Sequence, residues 1–272
     1  MSKGITSVEG LIRAVFKYEK RDNELVFYRG HSDRDSFKLL PSIMRLDKFY
    51  RNESEIHKEI IISNPEEFLN DRTEFDRLVR MQHYLLPTRL LDITTNPLIA
   101  LYFSCHENPD LTGEVIRFRV PQSLVKFYDS DTVSCIANLS KLSFAEKSSI
   151  RYDIATPGFN IQEAVKKLGN YVKEEKPYFI QRIDPKDLTG VICVKCKLDN
   201  NRSYSQSGAF FIFGHGANEN SFQEKGISIE RVSIKSSAKS KIMSELDSLS
   251  INIRTVFPEI EYSAKYIRAN YD

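Results

Sequence analysis

Hydrophobic and polar positions along the chain follow two rhythms, one helical and one alternating. Val8, Leu11, Ile12, Val15 and Phe16 recur at helical spacing behind Ser7, which predicts an amphipathic helix over Ser7 to Lys20 capped by the serine. Leu25 to His31 reads as a strand, and Gly113 to Val120 alternates strictly, a strand closed by Pro121. Between them Lys48 to Phe68 is helical with a break at Asn64-Pro65, and Phe75 to Met81 continues helical. Ser123 to Tyr128 is compatible with a helix, Asp129 to Ile150 is irregular or helical, and Gln162 to Val172 predicts a helix. Val191 to Leu198 alternates as a strand, and Ser205 to Gly214 is an apolar strand with Gln206 and Gly208 on one face. Arg231 to Ile234 is a strand, Lys239 to Leu249 a helix, Ile251 to Ile260 an extended segment broken by Pro258, and Tyr262 to Ala269 a closing helix. Repeats and Gly/Ser linkers are absent from the sequence, so residues 1–272 are expected to form a single domain with a helical elaboration at about 122–176.

Met81 to Cys105 concentrates turn signals, charge and an apolar helix. Pro87 biases Leu86 toward extended backbone, and Thr88 to Ile93 suits a short buried strand. In Thr94-Thr95-Asn96-Pro97 a hydroxyl or amide can take the N-cap and proline the first helical position. Arg89 and Asp92 sit inside the apolar run. Removing one member of a buried pair costs about 3–5 kcal/mol, so the two are expected to pair with each other. That pair and the cap can simply staple the corner. Alternatively the corner offers hydroxyls and backbone N–H groups to an anionic ligand at the helix N-terminus. Arg29 with Gly30 behind it is a hook for phosphate or carboxylate, with glycine letting backbone approach, or else a surface arginine beside a turn.

Composition narrows the classes. Hydrophobic content of 41% and charged content of 28% are those of an ordinary globular protein. No apolar run could span a bilayer, and the first twenty residues lack the apolar core of a secretory signal, so a cytoplasmic location is expected. A net charge of +2 is too small to argue for bulk nucleic-acid binding, although Lys195, Lys197 and Arg202 form a local basic cluster. Cys193 and Cys196 lie three apart on a strand and should point to opposite faces, with no second pair to complete a tetrahedral site. The histidines form no metal-binding spacing, so no metal is expected, and the clustered carboxylates of a nuclease are lacking.

Phe27-Tyr28-Arg29-Gly30, Gln82-His83-Tyr84 through Pro87-Thr88-Arg89-Leu90-Leu91-Asp92, Thr95-Asn96-Pro97, and Gln206-x-Gly208-x-Phe210 together resemble the FRG domain, a bacterial family named for its Phe/Tyr-Arg-Gly motif, over nearly the whole chain. More distantly, the order of parts is similar to ADP-ribosyltransferases of the arginine, Ser-Thr-Ser, glutamate class. Arg29 matches their early-strand arginine, Thr94-Thr95 with Ala100 and Phe103 their corner and helix, and Gln206 falls where their late glutamate would be. The resemblance implies an α+β fold with a split, mostly antiparallel β core flanked by helices, and NAD as co-substrate. In that reading Arg29, Thr95 and Gln206 are catalytic. Tyr28, Arg29, Gly30, His83, Tyr84, Arg89, Asp92, Thr94, Thr95 and Asn96 hold the cofactor. Arg29 grips a phosphate, the threonine hydroxyls brace the ribose, His83 or Tyr84 meets the nicotinamide, and Gln206 bonds the ribose hydroxyls. An amide in place of a carboxylate leaves the forming cation without charge, so either Asp92 or a nearby glutamate supplies it, or the acceptor needs no deprotonation, or the fold only binds a nucleotide. The implied role is a toxin component of a phage-defence or toxin-antitoxin system, with a protein or nucleic-acid acceptor, an antitoxin or chaperone partner, and no membrane. The other reading is a non-catalytic sensor that binds a nucleotide or a protein partner.

Overall fold

The computed structural model describes residues 4–17, 22–197, 205–269 and 271. Seven strands, β1 (Glu24–His31), β2 (Leu90–Thr94), β3 (Gly113–Pro121), β4 (Val125–Phe127), β5 (Val191–Lys195), β6 (Gly208–Phe213) and β7 (Ser228–Ile234), form one sheet in the order β4-β5-β6-β2-β1-β3-β7. Neighbours run antiparallel except β4 and β5, which are parallel. The expected α+β class and mostly antiparallel sheet are therefore present.

The helices used below are α1 (Val8–Phe16), α2 (Glu53–Ser63), α3 (Glu74–His83), α4 (Pro97–Cys105), α5 (Asp131–Asn138), α6 (Glu163–Glu175) and α7 (Lys239–Ser248). Ser7 caps α1 through its side chain as the pattern predicts, while the predicted extension to Lys20 lies outside the described residues. Thr73 and Asp76 form a capping box on α3. The break at Asn64-Pro65 is real and ends α2.

Alternation along the strands sorts the core into layers. Leu90 of β2, Val194 of β5 and Ile212 of β6 pack with Phe75, Leu78, Ile136 and Leu168 from α3, α5 and α6. Tyr28 of β1, Val115 of β3 and Ile234 of β7 pack with Leu11, Leu101, Tyr102 and Ile242 from α1, α4 and α7. Tyr28 and Thr94 are register partners, so both groups of helices lie on one face of the sheet. The other face carries Phe27, Leu91, Ile93, Phe118, Phe211 and Phe222 as one cluster. The helices over β2, β5 and β6 and those over β1, β3 and β7 consequently flank the junction of β1 with β2 on one face.

That junction is thin. β1 and β3 share eight registered pairs from Glu24↔Pro121 to His31↔Glu114. β1 and β2 share only Tyr28↔Thr94 among the described residues, and past this pair Gly30 and Asp92 do not pair with each other. The β core is split there, between two halves each held by full ladders.

Two elements differ from the sequence reading. Val125 to Phe127 is a strand and not a helix, because the parallel edge of β5 offers its backbone partners at Cys193, Val194 and Lys195. Ile253–Val256 is a short helix within the segment expected to be extended, set by Asn252, whose side chain accepts from the N–H groups of Arg254 and Thr255.

Candidate functional site

A cleft of about 350 Å³ opens where β1 and β2 part. Leu91 and Ile93 alternate with Asp92 and Thr94 along β2, yet all four line it, so the opening is reached from both faces of the sheet. Arg29 enters from the Phe27 side. Its Nη1 donates to the backbone carbonyl of Asp92 at 2.6 Å and lies 3.9 Å from the Asp92 carboxylate. The guanidinium thus bridges the gap that the missing ladder leaves. Its Nε donates to Nε2 of His31 at 3.0 Å. His31 is buried, and its Nδ1 lies 3.0 Å from Glu114 on β3, which Arg231 on β7 also contacts.

Asp92 is more than half exposed, and Gln82 of α3 donates to it at 2.7 Å. The Thr88 hydroxyl donates to the other end of the same amide, so the carboxylate is oriented through two side chains. Arg45, from the short helix Ser42–Arg45, lines the cleft as well, and its Nε donates to the Leu40 carbonyl at 3.0 Å. Burial pulls the pKa of Arg29 below its ordinary value against the pull of Asp92, and Arg45 adds to the fall. Burial lowers Arg45 too, again opposed by Asp92. Two guanidinium groups against one carboxylate leave the cleft positive, which favours an anionic ligand.

The C-terminal segment braces two of the lining residues. Gln206 lines the cleft and its Nε2 donates to the Val256 carbonyl at 3.3 Å. Nε2 of His83 lies 3.5 Å from Glu259. A second hollow of about 510 Å³ adjoins the first along Val79 and His83 and is also lined by Tyr84, Arg80 and Lys197.

Tyr28, Arg29, Gly30, His83, Asp92, Thr94 and Gln206, all singled out from the sequence, come together on this cleft. Others go elsewhere. Arg89 does not pair with Asp92. It is fully buried, with Nε 2.9 Å from Glu53 and Nη1 donating to the Phe213 carbonyl at 2.8 Å. Positions 89 and 92 are three apart on extended chain and leave opposite faces, the same parity that separates Cys193 from Cys196, which join different core clusters. Burial would raise the Glu53 carboxyl, but Arg89 and Lys147 outweigh it and pull it down to about 2. Thr94 lines the cleft with its hydroxyl engaged, donating to the Gln206 carbonyl at 2.7 Å and accepting from the Asn96 N–H at 3.0 Å. The threonine pair does not share one hollow, because the Thr95 hydroxyl faces the Ser207 carbonyl at 3.4 Å outside the cleft lining. Asn96 caps α4 by accepting from Leu98 N–H at 2.9 Å. Tyr84 lines the second hollow. Gln206 precedes β6 and is not on it, with Ser207 at φ 48° turning the chain between them.

Gly30 serves packing. A Cβ there would lie 1.9 Å from the Ala100 carbonyl oxygen and 2.7 Å from Ser104 N, so the close approach it allows is that of the α4 backbone. Arg45, Gln82, His31 and Glu53 were given no role from sequence. His31 carried a findable signal, since it lies two positions from Arg29 and so on the same strand face. Arg45 and Glu53 carried none.

The FRG domain family model matches residues 24–112 of this chain. The match runs from β1 through α4 and takes in Arg29, Gly30 and the Thr94-Thr95-Asn96-Pro97 corner, a narrower span than the nearly whole-chain resemblance read from sequence. No curated protein and no solved structure matches the chain. Among the described residues, no group of His, Cys, Asp and Glu could hold a metal ion, and no helix is long and apolar enough to cross a membrane. Arg202 of the basic cluster and Leu198 of the predicted strand lie outside the described residues, and Lys197 pairs with Asp76 at 3.3 Å.

Proposed function

We propose that the cleft takes NAD as co-substrate and that the chain is an ADP-ribosyltransferase-like effector, a toxin component of a phage-defence or toxin-antitoxin system acting on a protein or nucleic-acid acceptor. The observation that carries this reading is the convergence of Arg29, Arg45, Asp92 and Gln206 on one opening in the sheet. Two guanidinium groups suit the two charges of a pyrophosphate. The adjoining hollow with Tyr84 gives room for the second half of a dinucleotide, in the size range of small-molecule pockets.

Cleaving the bond between the nicotinamide nitrogen and ribose C1′ sends its electron pair to the nicotinamide and leaves positive charge on the sugar. The acceptor nucleophile then bonds to C1′ and gives up its proton. Rigid gripping of the phosphates supplies orientation, and a negative group near C1′ lowers the barrier. Gln206 can orient ribose hydroxyls but carries no charge. Asp92 is the carboxylate that lines the cleft, and it supplies that charge and takes the proton. A neutralising antitoxin or chaperone and a cytoplasmic location go with the same proposal. The test is incubation with labelled NAD and cell lysate. Label on a protein or nucleic acid, with nicotinamide released, supports transfer, whereas saturable binding without turnover supports the sensor reading.

A further inference from the structure

A buried chain of contacts, His31 and then Glu114, lies behind Arg29. We propose that His31 is a positioning residue: its ring, held by Glu114 in the tautomer that carries the proton on Nδ1, accepts the Nε–H of Arg29 and aims the far edge of the guanidinium into the cleft. This rests on the reading that the cleft binds an anionic nucleotide.

The bonding admits one arrangement. Arg29 Nε can only donate, so the nitrogen 3.0 Å away, His31 Nε2, must hold a lone pair. The proton then sits on Nδ1, 3.0 Å from Glu114 Oε1, a carboxylate that is itself buried and contacted by Arg231. Register explains why these groups meet: His31 and Glu114 are direct partners, and Arg231 is opposite Ile116 on the same face. The guanidinium is thereby fixed at Nε by His31 and at Nη1 by the Asp92 carbonyl. Among the described residues Nη2 has no protein partner and is the edge turned to a ligand. A planar donor held at two points loses less freedom on binding than a free side chain.

The charged groups facing the ring are Arg29 on its own strand, Glu114 on β3 and Arg231 on β7, and Phe37 packs edge-on against it. Burial, the largest influence, pulls the pKa of His31 below its ordinary value against the pull of Glu114. The ring is therefore neutral at neutral pH. On protonation Nε2 becomes a donor facing a donor, and Arg29 loses this anchor.

The test compares wild type with His31→Gln, whose amide can accept from Arg29 and donate to Glu114, and with His31→Leu, which can do neither. NAD is titrated calorimetrically from about pH 5.5 to pH 8. Wild type is expected to bind evenly near neutrality and more weakly in acid. His31→Gln should keep the neutral-pH affinity and lose the acid decline, and His31→Leu should bind about tenfold more weakly, the loss of one charge-assisted hydrogen bond. Nitrogen NMR without nucleotide tests the geometry itself: His31 should carry its proton on Nδ1, and the Arg29 Nε–H should exchange slowly in wild type and His31→Gln. Should His31→Leu fail to fold, these signals and the His31→Gln profile still decide. An Nε2-protonated ring, a rapidly exchanging Arg29 Nε–H, or an acid decline that persists in His31→Gln overturns the proposal. Failure of wild type to bind NAD while the ring and Nε–H behave as expected overturns the nucleotide reading instead.

Discussion

Tyr28 and Thr94 form the register pair that joins the two halves of the sheet, and past it Nη1 of Arg29 spans the opening to the Asp92 carbonyl at 2.6 Å. A ladder that continued would have filled this space with paired backbone. Its interruption instead admits a guanidinium from one face and a carboxylate from the other.

Replacing Arg29 should therefore separate binding from folding. Arg29→Ala is expected to abolish nucleotide binding and any nicotinamide release, with a stability change smaller than that of a core deletion, because the side chain reaches into an open cleft. Arg29→Lys should not restore binding, since a single ammonium cannot keep the Nε contact to His31 and an edge for phosphate together. Titration of both variants, beside thermal melts, checks this.

Gly30 behaves in the opposite way. Gly30→Ala places a methyl 1.9 Å from the Ala100 carbonyl oxygen, a backbone atom of α4 that cannot swing aside. The cost should reach or exceed the roughly 1–3 kcal/mol of ordinary overpacking. A melt of this variant that matches wild type would contradict the close approach of α4 to β1.

Asp92→Asn keeps the shape and the Gln82 contact but removes the charge. NAD affinity should hold or rise, because two guanidinium groups then face no carboxylate, while nicotinamide release falls by about a hundredfold, as for loss of one electrostatic contact to the transition state. Equal rates in the variant and wild type would show that another group supplies the charge.

The buried cluster around Glu53 sets an acid limit on stability. Glu53→Gln strands Arg89 and Lys147, both fully buried, and is expected to cost about 3–5 kcal/mol. In wild type the Glu53 carboxyl is lowered in the folded state, so its stabilisation is present above its ordinary value of 4.5 and is lost as pH falls toward about 2, on the order of 3 kcal/mol in all. His215 nearby is pulled down to about 4, mainly by burial and then by Arg89 and Lys147, so folding opposes its protonation. Stability should begin to fall below about pH 6.5 and fall further below about pH 4.5. Denaturant midpoints measured across that range test the order of the two steps.

Local rules made much of this legible. The Ser7 and Asn96 caps, the break at Asn64-Pro65 and the alternating β3 are matters of neighbouring residues, and each stands where the pattern places it. Arg29, Asp92 and Gln206, which motif and charge mark in the sequence, line one cleft. Partners set by long-range packing were not legible. Glu53 meets Arg89 across 36 positions, and only the fold brings them together. Parity along extended chain would have excluded the Arg89–Asp92 pair in advance, as it separated the two cysteines. In the threonine corner the Thr94 hydroxyl is engaged by the Asn96 N–H and the Gln206 carbonyl, the second a partner that only the fold supplies.

The most direct measurement is calorimetric titration of the purified chain with NAD at neutral pH, in parallel with Arg29→Ala. Saturable binding at one site per chain is expected, lost in the variant while its fold persists. Heat of binding that is absent in wild type, or undiminished in Arg29→Ala, would contradict the proposal that the cleft takes NAD.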